Sequence, residues 1–175
     1  MKMLLFARRN GQEILRDPLN LAFGLVFPLA LLGLFCAIQA NIPVPIFALP
    51  SLTPGILVFG FSFFSLFSAL LVARDRTSAF FLRLYTTPLR PRDFILGYTL
   101  PLVPLGQGAV CLAGALAFGL EWSPRLLLTL VASLPVALLY ISLGLLCGSC
   151  LSDRAVGGIC GALLTNASAF LSGAW

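Results

Sequence analysis

The stretch that decides the fold is LTPGILVFGFSFFSLFSALLVA, residues 52–73, which contains no Asp, Glu, Lys or Arg. A helix that crosses a bilayer needs about 20 predominantly apolar residues, and this stretch is long enough. Four further stretches meet the same requirement: 19–39, 94–118, 126–151 and 155–175. The alternating pattern of a membrane β-barrel is missing from the sequence. We therefore expect an all-α integral membrane protein, one transmembrane domain over residues 1–175 that forms a bundle of five helices.

The composition of the whole chain agrees with a membrane protein. Of its 175 residues, 59% are apolar and only 10% are charged, whereas soluble domains carry about 25% charged residues. The sequence has no histidine and one lysine, Lys2, so it lacks the lysine-containing loop that binds ATP phosphates. Cys147 and Cys150 form a CxxC pair without a second pair to complete a zinc site. We expect no catalytic, cofactor-binding or metal-ligating residue and interpret the five cysteines as packing residues.

Every charged residue lies outside the five stretches, and the cations are distributed unevenly between the two sides of the membrane. One side carries ten of them: Lys2, Arg8, Arg9, Arg16, Arg74, Arg76, Arg83, Arg90, Arg92 and Arg154. The other side carries only Arg125. Cationic loops are retained in the cytoplasm, so the bias predicts a multi-pass cell-membrane protein with a cytoplasmic N-terminus. The net charge of +5 is then explained by topology, and we expect no nucleic-acid partner.

Residues 1–17 form an amphipathic pattern at helical spacing. The polar side holds Lys2, Arg9, Glu13 and Arg16, and the opposite side holds Met3, Leu4, Ala7, Ile14 and Leu15. Leu5 and Phe6 interrupt the pattern, and Pro18 separates the segment from the first predicted span. An interfacial helix that contacts membrane lipids, an elbow into the first span, fits these features. A solvated basic tail that only sets topology is the alternative.

The connection 74–93 reads RDRTSAFFLRLYTTPLRPRD. Pro88 disfavours helix at the residue before it, which leaves two to three turns that bear Phe80, Phe81, Leu84 and Tyr85. A helix this short is marginal on its own, so its apolar face needs a partner. A membrane-surface helix with snorkelling arginines and a docking helix for a cytoplasmic protein both fit the residues.

At this connection the sequence resembles the permease subunits of ABC exporters of the ABC-2 type. Those proteins place an acidic residue, a short helix and a Leu-x-x-Thr-Pro-Leu segment between their second and third spans. The matching residues here are Asp75, Arg83, Leu84, Thr86, Thr87, Pro88, Leu89, Arg92, Ile95, Leu96 and Gly97. Ala79 and Leu82 replace a glycine and an acidic residue of the family pattern. The resemblance covers essentially the whole chain. Family members usually have six spans, so we expect a permease shortened before the sixth.

The resemblance also implies partners and site residues. Two permease subunits would pair, as a homodimer or heterodimer, and a separate cytoplasmic ABC ATPase subunit would bind ATP and magnesium. This chain would then be no enzyme and would form the path for an amphiphilic, drug-like or lipid-linked substrate. The implied ATPase-docking residues are Asp75, Arg76, Phe80, Phe81, Arg83, Leu84, Tyr85, Thr87 and Pro88.

Two further groups of residues lie within the predicted spans. The uncharged polar residues Ser62, Ser65, Gln107 and Asn166 are candidates for the substrate path, although such side chains more often form hydrogen bonds between helices. The glycine pairs Gly144/Gly148 and Gly157/Gly161 allow close helix approach. We expect them to pack the fourth span against the fifth, with a dimer contact as the alternative.

Two other classes of function remain to be weighed against transport. A non-transporting membrane scaffold, an assembly factor or an inactive remnant of a permease would show the same spans. An intramembrane enzyme is disfavoured because the spans offer no acid, base or metal cluster. Proton-coupled carriers usually need ionisable groups inside their spans, and these spans contain none.

The predicted topology can be tested with a reporter enzyme that is active only outside the cell. Fused after residue 46, between the first and second predicted spans, the reporter should be active because that connection lies opposite the cationic side. A fusion without activity would refute the topology.

Overall fold

The computed structural model of the chain describes residues 2–41, 49–78, 90–118 and 124–172. Helices account for nearly all of these residues and no strand occurs among them, which confirms the all-α class. The first helix, α1, comprises Lys2–Leu15. Five helices long and apolar enough to cross a membrane follow it in the described chain.

The five spans have the following bounds. The first consists of Pro18–Leu21, a π-helical turn Ala22–Val26 and Phe27–Asn41; the second is Leu49–Thr77, the third Pro91–Phe118 and the fourth Pro124–Cys150. The fifth consists of Asp153–Val156, a π-helical stretch Gly157–Leu164 and Thr165–Leu171.

The second span is the central helix of the bundle. In its most apolar 18-residue window 72% of the residues are buried, compared with 17% to 28% in the other four spans. The first, third, fourth and fifth spans all pack against it. Because it is enclosed by protein, its side chains decide how closely each neighbour approaches.

One side of the second span is made of small residues and contacts the fourth span backbone to backbone. Ser65, Ser68 and Ala69 are fully buried. A Cβ atom on Gly144 would overlap Ser68 Oγ and the Ser65 carbonyl, and one on Gly148 would overlap the Ala69 carbonyl. Ser68 Oγ lies 3.2 Å from the carbonyl oxygen of Ile141 and can donate to it across the contact. Small residues allow such close contacts between helices in membranes.

The structure corrects the expected partner of the glycine pairs. Gly144 and Gly148 pack against the second span instead of the fifth. Gly161 also faces the second span, since a Cβ on it would lie 3.4 Å from Leu66 Cδ2, whereas a Cβ on Gly157 would have no neighbour within 4 Å. The reason is that the fourth and fifth spans both pack against the second span, and all of these glycines except Gly157 face it.

Phenylalanines fill the contact between the first and second spans. Phe63 lies between three other rings at centroid distances of 5.3 to 6.3 Å: Phe23, Phe27 and Phe59. Nearby, a Cβ on Gly24 would overlap the ring of Phe67. Pro28 has no N–H, so it cannot donate to the Gly24 carbonyl. In the π-helical turn just before it, the N–H of Phe27 donates to the carbonyl of Ala22, five residues earlier.

The ends of the second and third spans flank residues 79–89. The second helix continues past Ala73, the last residue of the predicted span, to Thr77, where the Ser78 hydroxyl donates to the Asp75 carbonyl at 2.8 Å. The third helix begins at Pro91, and the Asp93 carboxylate accepts the backbone N–H of Arg90 at 3.1 Å. The Asp93 N–H donates in turn to the Arg90 carbonyl oxygen at 2.9 Å, and together these bonds fix the start of the helix. The predicted short helix with Phe80, Phe81, Leu84 and Tyr85 lies outside the described residues.

Glycine substitutions test the contact between the second and fourth spans. Gly148→Leu should lower stability by about 1–3 kcal/mol or more, because the new side chain meets backbone atoms that cannot move aside. Gly157→Leu is the matched control, since its Cβ would enter open space. The measurement is the thermal unfolding midpoint of the purified chain in detergent. Equal midpoints for the two variants would contradict the contact.

Candidate functional site

The carboxylate of Asp75 joins three elements at the end of the bundle that carries most of the cations. Asp75 lies in the last turns of the second span and is only 2% exposed. Arg9 of α1 donates from Nη1 and Nη2 to its two oxygens at 2.8 and 2.9 Å. Tyr98 of the third span donates its hydroxyl to Asp75 Oδ2 at 2.8 Å. A single side chain therefore links α1 to the second and third spans.

Aromatic packing places Arg9 beside this carboxylate. Phe6, one turn earlier on α1, is 6% exposed and lies edge-on to Tyr98 and Phe94 at centroid distances of 5.0 and 5.7 Å. The ring occupies the space in front of Gly97, where any Cβ would overlap it. Close approach at this point requires glycine, and it brings the next turn of α1 over the start of the third span.

A proline in the third span explains a second polar contact of α1. Pro101 has no N–H, so the carbonyl of Gly97, four residues earlier, lacks its helical donor. Asn10 is fully buried and donates from Nδ2 to this carbonyl oxygen at 3.1 Å. Carbonyls released by proline in membrane helices need such substitute partners. The hydrogen bond therefore fixes α1 at one position along the third span.

The contacts of α1 decide between the two interpretations of residues 1–17. The segment is a helix with buried residues, Phe6, Asn10 and Ile14 among them, so it is not a solvated tail. Phe6, which interrupts the amphipathic pattern, is its main anchor. Leu4, Leu5 and Leu15 are 58% to 65% exposed and form the outward face.

The charge of Arg9 is stabilised at this position. Burial lowers its pKa, but the hydrogen bond and charge of Asp75, with the charge of Glu13, raise the pKa above its ordinary value. Glu13 Oε2 lies 2.8 Å from Arg9 Nη2, one helical turn away. Charge-assisted bidentate pairs of this kind are among the strong hydrogen bonds of proteins. The Asp75 carboxylate is therefore compensated although it is shielded from water.

The neighbours of Asp75 in the sequence contact two other parts of the chain. Arg74 Nη1 lies 3.4 Å from the carboxylate of Asp17, between α1 and the first span. Arg76 donates to carbonyl oxygens at the end of the fourth span, those of Gly148, Ser149 and Leu151. A cation at a helix C-terminus is favoured by the helix dipole. Three consecutive residues thus bind three different places at this end of the bundle.

The structure locates two of the predicted docking residues. Asp75 is internal rather than a surface group, and Arg76 is exposed with its guanidinium on the end of the fourth span. The other docking predictions fall within 79–89, outside the described residues: Phe80, Phe81, Arg83, Leu84, Tyr85, Thr87 and Pro88.

The four predicted path residues lie in separate helix contacts. Ser62 is fully buried and donates to the Phe59 carbonyl of its own helix at 2.6 Å. The backbone of Ser65 lies against Gly144 of the fourth span, and its buried Oγ has no hydrogen-bond partner in the part of the chain that the structure describes. Gln107 Oε1 accepts the Ser133 hydroxyl at 3.3 Å, while its buried Nε2 has no partner among the described residues. Asn166 is exposed on the fifth span. Nothing in these contacts brings the four together.

Asp75, Arg9, Asn10 and Tyr98 form one cluster of hydrogen bonds, which we call the Asp75 joint. The sequence did not predict that the last three of these residues belong together. One signal was present: Asp75 is the only acidic residue close to the end of the second span, and Arg9 lies on the predicted same side of the membrane. The pairing itself depends on how α1 crosses the third span, which no local pattern specifies.

A double-mutant cycle tests the joint. Arg9→Gln leaves the buried Asp75 carboxylate without its cation and should lower stability by about 3 kcal/mol. Asp75→Asn should cost less, because Arg9 is 36% exposed and keeps Glu13 as a partner. The double variant should lose clearly less stability than the two single variants added together, because both charges are then absent. The readout is the free energy of unfolding in mixed micelles.

Arg16→Gln is the control for the cycle, because Arg16 is an exposed cation of the same N-terminal segment. Its effect should be within about 0.5 kcal/mol. Additive losses in the double variant would show that Arg9 and Asp75 do not act as a pair.

Comparison with known proteins assigns the chain to a family. The family model described as ABC-2 type transporter matches residues 2–175. No curated protein and no solved structure matches the chain. The match includes α1, all five spans and the connection 74–93. The chain is a multi-pass membrane protein and belongs to the ABC-2 type transporter family, as a permease-type component of a transporter.

Proposed function

We propose that this chain is the permease subunit of an ATP-driven ABC exporter whose substrate is amphiphilic, drug-like or lipid-linked. A separate ABC ATPase subunit binds and hydrolyses ATP with magnesium, and a second permease subunit, identical or different, completes the path. The observation that carries the proposal is the Asp75 joint. It links both helices that flank residues 79–89 to each other and to α1.

The Asp75 joint connects the two helix ends that flank residues 79–89, so a displacement of this segment is transmitted to the bundle. A force on this segment acts on the end of the second span and on the start of the third. The hydrogen bond between Asp75 and Tyr98 holds these two ends together, and Arg9 ties α1 to the same carboxylate. The three elements therefore move as one unit when the segment is displaced.

The central position of the second span distributes that motion. Because the other four spans pack against it, displacement of its charged end acts on its contact with each of them. Arg76 extends the route directly to the end of the fourth span. Interfaces packed this closely switch between discrete arrangements instead of deforming gradually, which suits alternating exposure of a substrate path.

Docking is assigned to the apolar side chains of residues 79–89. Phe80, Phe81, Leu84 and Tyr85 form the contact with the ATPase subunit, and Arg83 pairs with its acidic groups. Asp75 does not take part in this contact, since its carboxylate is occupied within the chain. The ten-to-one distribution of cations supports the orientation that places this segment in the cytoplasm.

Co-purification with the ATPase subunit tests the assignment. Phe81→Asp and Leu84→Asp should each lower recovery of the ATPase subunit about thirtyfold, the effect of losing an interface hot spot of about 2 kcal/mol. The conservative variants Phe81→Leu and Leu84→Met keep an apolar side chain and should retain the subunit. Asp75→Asn should also retain it, because Asp75 acts inside the chain.

Each variant is compared at equal amounts of membrane-inserted permease. Recovery of the ATPase subunit with both aspartate variants would refute docking through 79–89. If the folded Asp75→Asn variant loses the ATPase subunit, Asp75 takes part in docking and its assignment to the interior of the chain is wrong. Failure of the wild-type chain to bind any ABC ATPase subunit would favour a non-transporting scaffold.

A further inference from the structure

An apolar groove of about 550 Å³ lies between α1, the first span and the third span. Its long wall is one face of the third span, formed by Pro101, Leu105, Gly108 and Leu112. Leu25 of the first span faces this wall. The volume is within the range of about 300–1,000 Å³ that is typical of small-molecule sites.

The groove is closed at the charged end by α1. Ala7 and Gly11 line it there, and a Cβ on Gly11 would lie 3.3 Å from Pro101 Cβ, so the helix crosses the third span closely. Leu100 and Leu112 are 39% and 47% exposed. The groove therefore opens sideways, toward the hydrocarbon that surrounds a spanning helix.

Arg8 is the charged residue among the lining side chains of this groove. It is exposed, and among the described residues it has no ion-pair partner. Its neighbour Arg9 points elsewhere, to Asp75 and Glu13. Adjacent residues on a helix point about 100° apart, so α1 directs one cation into the protein and the other to the mouth of the groove.

We propose that this groove binds an anionic phospholipid, with one acyl chain along the third span and the phosphate at Arg8. Water is a poor occupant of an apolar groove beside a membrane helix. A hydrocarbon chain matches the wall, and a cation at the interface attracts an anionic headgroup. The lipid is bound at the side of the bundle and fixes α1 against the first and third spans.

Two glycines allow a matched test of the apolar part of the site. Neither Gly108 nor Gly33 has an atom within 4 Å of a Cβ built on it. Gly108 faces the groove, whereas Gly33 is exposed elsewhere on the first span. Gly108→Leu should fill the groove without meeting backbone, and Gly33→Leu adds the same side chain outside it.

Spin-labelled lipids measure the binding directly. The full chain is reconstituted in phosphatidylcholine vesicles with spin-labelled phosphatidylglycerol or phosphatidylcholine, and electron paramagnetic resonance gives the motionally restricted fraction. Arg8→Gln should lower the preference for phosphatidylglycerol about fivefold, the share of one interfacial cation. Arg16→Gln, which removes a cation outside the groove, should leave the preference unchanged. Gly108→Leu should reduce the restricted fraction of both lipids, and Gly33→Leu should not.

Each contrary result would overturn the proposal. These are a wild-type chain without preference for phosphatidylglycerol, equal effects of Arg8→Gln and Arg16→Gln, and equal effects of the two glycine variants. If Gly108→Leu changes the oligomeric state in size-exclusion chromatography instead of the restricted lipid fraction, a second copy covers the groove. The measurement needs neither ATP nor an ATPase subunit, so its failure would leave the proposed transport function untouched.

Discussion

The close contact between the second span and its neighbours is the constraint on which the rest of the structure depends. The apolar side chains of a membrane helix are no more apolar than the lipid tails around them, so hydrophobic burial alone gives the helix no preferred neighbour. The shapes of the packed side chains have to determine which helices contact each other. The second span meets the fourth through Ser65, Ser68 and Ala69, where glycine is required on the other side. It meets the first through large aromatic rings. Different side-chain sizes on its different faces give each neighbour its own place.

The same helix ends in a group that lipid cannot accommodate. Asp75 lies two residues beyond Ala73, where the uncharged apolar stretch ends, and its carboxylate needs donors that the bilayer core does not provide. Arg9 and Tyr98 supply them from two other elements. The central helix is thus positioned by apolar packing along its length and by a directional polar contact at its end. Packing sets the neighbours along the helix, and the ion pair with Arg9 adds a directional contact at its charged end.

The sequence predicted the fold class and the approximate spans because an uncharged apolar run of the required length is typical of a helix that crosses a bilayer. It did not predict the setting of Asp75 or the neighbours of Gly144. An amphipathic pattern indicates which side of α1 is polar. It does not indicate whether that side contacts lipid headgroups or a buried carboxylate. Likewise, glycines at spacing four indicate a close contact without specifying the helix they touch. Phe6 shows why a local pattern is not sufficient. It interrupts the amphipathic pattern of α1 because it packs against Gly97, which lies in the third span.

Pro101 imposes a requirement on Asn10 across a long separation in sequence. The proline creates an acceptor by withholding an N–H, and the asparagine amide satisfies the Gly97 carbonyl that results. Replacing the proline with an ordinary residue would restore the helical donor, and the Gly97 oxygen, which has two lone pairs, could accept from both groups. Replacing the asparagine would orphan the carbonyl. The dependence therefore runs one way: with proline at position 101, α1 has to bring a donor to the Gly97 carbonyl, and Asn10 is that donor.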